Sequence, residues 1–164
     1  MMEQKILIFK FLFFGICFLL LNTNALSENI IHGNARIVDG DTIHIGQKKI
    51  RLHGIDAPEK EQTCTFQKKN WNCGLESKKF LLNLTSNKKI ICESSGKDKY
   101  HRYIAICFVD NLNINQTMVK SGWAIAYRYY SADYIGEENF AQKNLLGIWR
   151  GKFEEPYIFR KKNK

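Results

Sequence analysis

Residues 35 to 59, ARIVDGDTIHIGQKKIRLHGIDAPE, constrain this chain more than any other stretch. Two apolar, β-branched runs flank Asp39-Gly40. Asp-Gly in that setting is a hairpin-type turn signal, because Gly accepts φ > 0 without steric cost. The second run ends at Ile55-Asp56-Ala57-Pro58-Glu59, where the proline stops a strand and biases its neighbours toward extended or turn backbone. The pattern predicts three strands, over 35–38, 42–45 and 49–56, with turns at Asp39-Gly40 and Gly46-Gln47. Asp41, Asp56, Glu59 and Arg51 then fall at or near strand ends. If the strands pair, the four meet at one edge of a small sheet, an outline suited to a metal ion and a phosphate.

The remainder reads as more strands with short helices between them. Residues 60–72 are polar and without a period, and hold two cysteines, which predicts a loop tied by a disulfide. Residues 75–84 have good helix formers and an apolar face. Two apolar strands follow over 88–93 and 103–109, joined by a polar link at 94–101. Asn113 or Asn115 caps a short helix through Lys120, which Gly122 ends. An aromatic strand over 123–130 and a helix over 134–146, closed by Gly147, complete the set, with Trp149 a packing anchor. The expectation is a five-stranded Greek-key barrel of the OB type with about three helices. The folded domain spans 35–152, after a polar lead-in at 28–34 and before a basic tail at 153–164, of which 160–164 is expected to be mobile and solvated.

Residues 1–27 read as a signal peptide: Lys5 and Lys10, then the apolar run 11–21, then small residues before a cut after Ser27. The apolar run is short of the roughly 20 residues of a membrane span, and the competing reading is an uncleaved N-terminal anchor. Export implies a secreted or periplasmic protein and an oxidising compartment. Cys64, Cys73, Cys92 and Cys107 are then an even set for which disulfides are the default. Four cysteines allow three pairings. Cys64 with Cys73 and Cys92 with Cys107 is preferred, because the first closes a short loop and the second joins two apolar runs that look like neighbouring strands. Zinc is the rival, but the chain has no CxxC and no partnered His pair. The net charge of +9 favours a polyanionic partner, nucleic acid or an anionic membrane face, and from charge alone is equally that of a soluble basic protein.

The acids define the chemistry. A hard dication such as Ca²⁺ takes carboxylate, carbonyl and water oxygens. Asp41 and Asp56 offer carboxylates and Ala57 lies beside them with a backbone carbonyl. These are too few ligands for a closed structural site and suit one completed by water and a phosphate. Taken singly, each Asp is better explained by turn capping. Glu59 is placed to orient or deprotonate a water. Arg51 and Arg102 suit the charge that builds on phosphate oxygens, which planar guanidinium groups meet two at a time.

Asp39-Gly40-Asp41-Thr42, Ile50-Arg51-Leu52 through Ile55-Asp56-Ala57-Pro58-Glu59, and Asp98-Lys99-Tyr100-His101-Arg102 together resemble the motifs of the thermonuclease (staphylococcal nuclease) family. Val119-Lys120-Ser121-Gly122-Trp123-Ala124 and Gly147-Ile148-Trp149 fit as well, so the resemblance covers residues 35 to 150 in order. It implies an OB-fold barrel and a Ca²⁺-dependent phosphodiesterase acting on DNA and RNA, cutting the P–O5′ bond to leave 3′-phosphates. It also implies that Asp41, Asp56 and the Ala57 carbonyl hold the metal, that Glu59 is the general base, and that Arg51 and Arg102 bind phosphate. Lys99, Tyr100, Tyr127 and Tyr129 fall at nucleotide-contact positions, although core packing explains the last two equally well. A monomer without an organic cofactor is expected. The chain departs from the family pattern at His101, where glycine is usual, in its four cysteines and in the loop 60–72. The other reading is a non-catalytic OB module that binds nucleic acid or a protein, since fold alone does not fix activity.

Overall fold

Alternation of apolar and polar residues builds the sheet in the computed structural model, which describes residues 29–163. In β3 (Thr42–Ile45) and β4 (Lys48–Leu52), Ile43, Ile45, Ile50 and Leu52 are buried while Lys48 and Lys49 face solvent. Gly46, at φ 57°, turns the chain between them. β2 (Ala35–Ile37) pairs with β3 across the Asp39-Gly40 turn, where Gly40 does not take the expected positive φ and is needed instead because a Cβ would run into Ser77 and Ala57. β8 (Ile90–Lys97) and β9 (Tyr103–Val109) form a second antiparallel pair. β9 then lies parallel to β4, Arg51 opposite Ile104, and this pairing joins the two halves. With β1 (Ile30–Gly33) at one end, the order is β1-β8-β9-β4-β3-β2, a mixed, nearly closed six-stranded barrel of OB-like form. Short β10 (Leu112–Asn113) adds to β9.

Four helices are described. α1 (Cys73–Thr85) and α2 (Ile114–Lys120) pack on the barrel through Leu81, Met118 and Val119. Asn113 caps α2 by accepting the Gln116 N–H at 3.0 Å. α3 (Ile135–Lys143) leads to a 3-10 turn at Gly147–Arg150, and α4 (Pro156–Lys162) starts on a proline whose fixed φ suits the first helical turn. A second apolar cluster, Cys64, Cys73, Ile125 and Ile148, is flanked by Trp71, Trp123, Trp149 and Phe153. Trp149 is therefore a packing residue, as expected.

Several element expectations are corrected. The strand at 49–56 breaks at Gly54, φ 72°, and Asp56 belongs instead to β5 (Ile55–Asp56), which pairs with β11 (Ile125–Ala126). Buried Asn115 fixes that bend, donating to the His53 and Ala105 carbonyls at 2.9 and 3.1 Å and accepting the Cys107 N–H. The aromatic strand at 123–130 shrinks to β11, because the chain turns at Tyr127, whose carbonyl accepts from Tyr130 and Ser131. The polar link 94–101 shortens to a tight loop, since β8 continues through Lys97 by a register shift between Ser94 and Gly96. The loop 60–72 contains a hairpin, β6 (Cys64–Phe66) with β7 (Lys69–Trp71), whose turn residues Gln67 and Lys68 both take positive φ without the usual Gly or Asn to announce it. The barrel thus has more strands than the expected five, and the helices exceed three.

Both disulfides are present. Cys64–Cys73 closes the β6–β7 segment onto the first residue of α1, and Cys92–Cys107 links residues directly opposite in the β8–β9 ladder. The leader 1–27 lies outside the described residues. Among the described ones no helix is long and apolar enough to cross a membrane.

Candidate active site

Three ladders bring the charged residues together. Thr42 stands opposite Arg51 in the β3–β4 pair, β4–β9 sets Arg51 beside the strand that follows Arg102, and β5–β11 seats Asp56 opposite Ile125. Asp41 and Asp56 are buried. Buried carboxylates need partners, and both have them. Asp41 accepts the Ala57 N–H at 2.8 Å and the Thr42 hydroxyl at 3.0 Å, and pairs with Arg51. Arg51 also donates to Asp56 Oδ1 at 2.8 Å and to the Ile55 carbonyl at 3.1 Å.

A third arginine enters from the end of the chain. Arg160 on α4 donates to Asp56 Oδ1 and Oδ2 at 2.8 and 3.1 Å, and the same Nη1 reaches Glu59 Oε1 at 2.8 Å. The expectation of a mobile, solvated tail does not describe this segment. Basic residues 160–162 read as a charge run, and nothing local shows that one of them turns inward. Glu59 itself is held by its backbone: its N–H reaches the Gln62 side chain at 3.2 Å, and its carbonyl lies against Gly74 so closely that a Cβ there would come within 1.6 Å. Glycine is the one residue that fits this approach.

Arg102 is held by Asp98. One Asp98 oxygen accepts the Tyr100 and Arg102 N–H groups at 2.9 and 3.0 Å, and the other takes the Arg102 guanidinium at 2.7 Å. This closes the loop around His101, which takes φ 61°, in the left-handed region. Tyr100 is exposed, with Lys99 Nζ 5.2 Å and Arg102 Cζ 5.5 Å from its ring centre. Tyr127 is half-buried and Tyr129 is 82 % exposed, so core packing does not account for Tyr129. Both line a cleft of about 1080 Å³ with Lys152 and Tyr157.

The local electrostatics follow from this crowding. Burial pushes the Asp39 carboxyl up, opposed by the charge of Arg51 and hydrogen bonds with Thr42. Burial pushes the Arg51 guanidinium down, while the charges of Asp56 and Asp39 hold it up. For Arg160 burial is outweighed by the hydrogen bonds and charges of Asp56 and Glu59, and the guanidinium is held above its usual range. Burial, then the charge of Asp56, raises the Tyr127 hydroxyl.

Among the described residues no three His, Cys, Asp or Glu side chains form a ready metal cage. The donor set still fits a hard dication in an open site. A carboxylate has about four acceptor positions. Asp41 uses three, on Thr42, Ala57 and Arg51, and Asp56 uses three, on Arg51 and twice on Arg160. Each keeps one for a cation, and all the donors are oxygens.

Comparison with known proteins gives the family. A family model described as staphylococcal nuclease homologue matches residues 49–151. The chain belongs to the staphylococcal nuclease family. An uncharacterized endonuclease of Haemophilus influenzae is 38% identical over 137 residues, 79% of this chain and 72% of that protein. The succinoglycan biosynthesis protein ExoI of Rhizobium meliloti is 33% identical over 140 residues, 83% and 73% of the two chains. The micrococcal nuclease of Shigella flexneri is 30% identical over 147 residues, 79% of each. The family match contains Arg51, Asp56, Ala57, Glu59, Lys99, Tyr100, Arg102, Tyr127 and Tyr129, while Asp41 and Arg160 lie on either side of it.

Proposed function

We propose that this staphylococcal nuclease family member is an exported, Ca²⁺-dependent phosphodiesterase that cuts DNA and RNA with little sequence preference and leaves 3′-phosphate ends. Family membership and relatives described as nucleases or endonucleases support a nuclease function. One observation carries the reading to particular residues: Asp41, Arg51, Asp56 and Glu59, from separate strand ends, converge with interlocking hydrogen bonds and ion pairs.

Asp41, Asp56 and the Ala57 carbonyl would hold the metal, which when bound would neutralise phosphate charge and polarise a phosphoryl oxygen. Glu59 accepts a proton from the attacking water as the new O–P bond forms. The P–O5′ bond breaks, the leaving 5′-oxygen takes a proton from solvent water, and Glu59 releases its own to solvent. Arg51 and Arg102 meet the non-bridging oxygens as their charge grows. Tyr100, Tyr127 and Tyr129 offer rings on which bases stack, and stacking tolerates any sequence, with Lys99 against the backbone. The protein acts as a monomer on its nucleic-acid substrates, with membrane contact only through an uncleaved leader.

The test is cleavage of single- and double-stranded DNA by the purified oxidised protein, with Ca²⁺ and then with EGTA. Cleavage that needs Ca²⁺ and leaves 3′-phosphates is the expected result. Glu59→Gln should keep the fold and Ca²⁺ binding and lose turnover by a hundredfold or so. A folded protein that binds DNA and never cuts is the non-catalytic binder instead.

A further inference from the structure

We infer that Arg160 is a positioning residue, and that the C-terminal segment is built into the active site to aim the Glu59 carboxylate. The inference rests on the proposed role of Glu59 in the hydrolysis. Among the hydrogen bonds and ion pairs of the described residues, the Glu59 carboxylate meets Arg160 and nothing else. That contact engages Oε1, which leaves Oε2 with an open acceptor for the proton of a water. One nitrogen, Nη1, bonds Asp56 Oδ1 and Glu59 Oε1, both at 2.8 Å. The carboxylate of the proposed metal site and that of the proposed base therefore stand within two hydrogen-bond lengths of each other, locked through a planar fork. Lysine, a flexible point charge, lacks that geometry.

The segment carrying Arg160 is anchored at two points to the chain that follows Glu59. Thr65 and Lys152 exchange backbone hydrogen bonds, each 2.8 Å, so the chain leaving the 3-10 turn is stitched to β6. Gln62, fully buried, donates to the Glu154 carbonyl at 2.7 Å and accepts the Glu59 N–H. Pro156 is buried at the start of α4. Glu59 is thus fixed by backbone through Gln62 and by side chain through Arg160, and both contacts lead back to the same C-terminal segment. A loosely docked tail would not be cross-linked to the loop it touches. Misplacing a reacting group by about 1 Å costs on the order of 10²-fold in rate, which sets the scale of the effect.

The experiment measures kcat and KM on single-stranded DNA for wild type, Arg160→Ala, Arg160→Lys, Glu59→Gln and the Glu59→Gln/Arg160→Ala double variant. Ca²⁺ affinity of each is read by calorimetry, with circular dichroism to confirm folding. Expected are a 10- to 100-fold fall in kcat for Arg160→Ala at little-changed KM, partial recovery in Arg160→Lys, and a double variant no slower than Glu59→Gln. Ca²⁺ binding to Arg160→Ala should be as tight as in wild type or tighter, since a competing cation has left Asp56. Unchanged or faster turnover would overturn the inference by making Arg160 a mere counter-ion. Additive losses in the double variant would overturn it by making Arg160 act on substrate independently of Glu59, and weaker Ca²⁺ binding by making it an organiser of the metal site. If Arg160→Ala does not fold, Arg160→Gln, a shorter, uncharged side chain that keeps one NH₂ donor group, is read by the same criteria. A wild type that does not cut refutes the proposed function and this inference with it, whereas a wild type matched by Arg160→Ala refutes this inference alone.

Discussion

Asp98 illustrates how one residue sets another's geometry. Burial opposes its ionisation, but the N–H groups of Arg102 and Tyr100 and the guanidinium of Arg102 outweigh that cost and hold the carboxyl below its ordinary value of 3.8. A carboxylate with a lower pKa in the folded state stabilises the fold above its unfolded pKa. That stability is lost as pH falls through the folded value. The loop at 98–102 is therefore expected to loosen in acid, below pH 3.8. Amide exchange at Tyr100 and Arg102, followed as pH falls, reads this directly. Protection at those amides that does not change down to pH 2 would show that the carboxylate is not what closes the loop. Asp98→Asn, which keeps an acceptor and removes the charge, should give the loosened loop already at neutral pH.

At the scale of elements, the two disulfides are expected to separate in function. By chain entropy each removes about 3 kcal/mol of freedom from the unfolded chain, for sequence separations of 9 and 15. Cys92–Cys107 joins two strands of the barrel that already share a full ladder. Its replacement by serines should lower the urea midpoint and leave kcat alone. Cys64–Cys73 holds the hairpin β6–β7 to α1, next to Gly74, which packs on the Glu59 carbonyl, and near Gln62. Serines there should lower both the midpoint and kcat. Equal effects of the two pairs on kcat would mean that the β6–β7 segment does not help to set Glu59.

Across the whole molecule, a net charge of +9 with Tyr127, Tyr129 and Lys152 along one cleft predicts binding dominated by phosphate contacts. The affinity of Glu59→Gln for single-stranded DNA should fall linearly on a log–log plot against salt, and differ little between sequences of equal length. A shallow slope with strong sequence dependence would point to base-edge readout instead. Much of this molecule follows from short-range chemistry. The turn after β2, the proline after Ala57 and the alternation in β3, β4 and β9 are local signals, so the barrel class and the meeting of Asp41, Arg51, Asp56 and Glu59 were readable from the chain alone. The hairpin β6–β7 was not, because Gln67 and Lys68 carry no turn signal and the pairing is held by Cys64–Cys73 and by Lys152. Nor was the break of the strand at Gly54, which is fixed by Asn115 from α2, far along the sequence. Arg160 is the clearest case. A basic residue near a chain end is solvated by default, and it turns inward here because Asp56 is fully buried and shares Arg160 with Glu59, a demand that exists only once β5, the Glu59 loop and α4 have met.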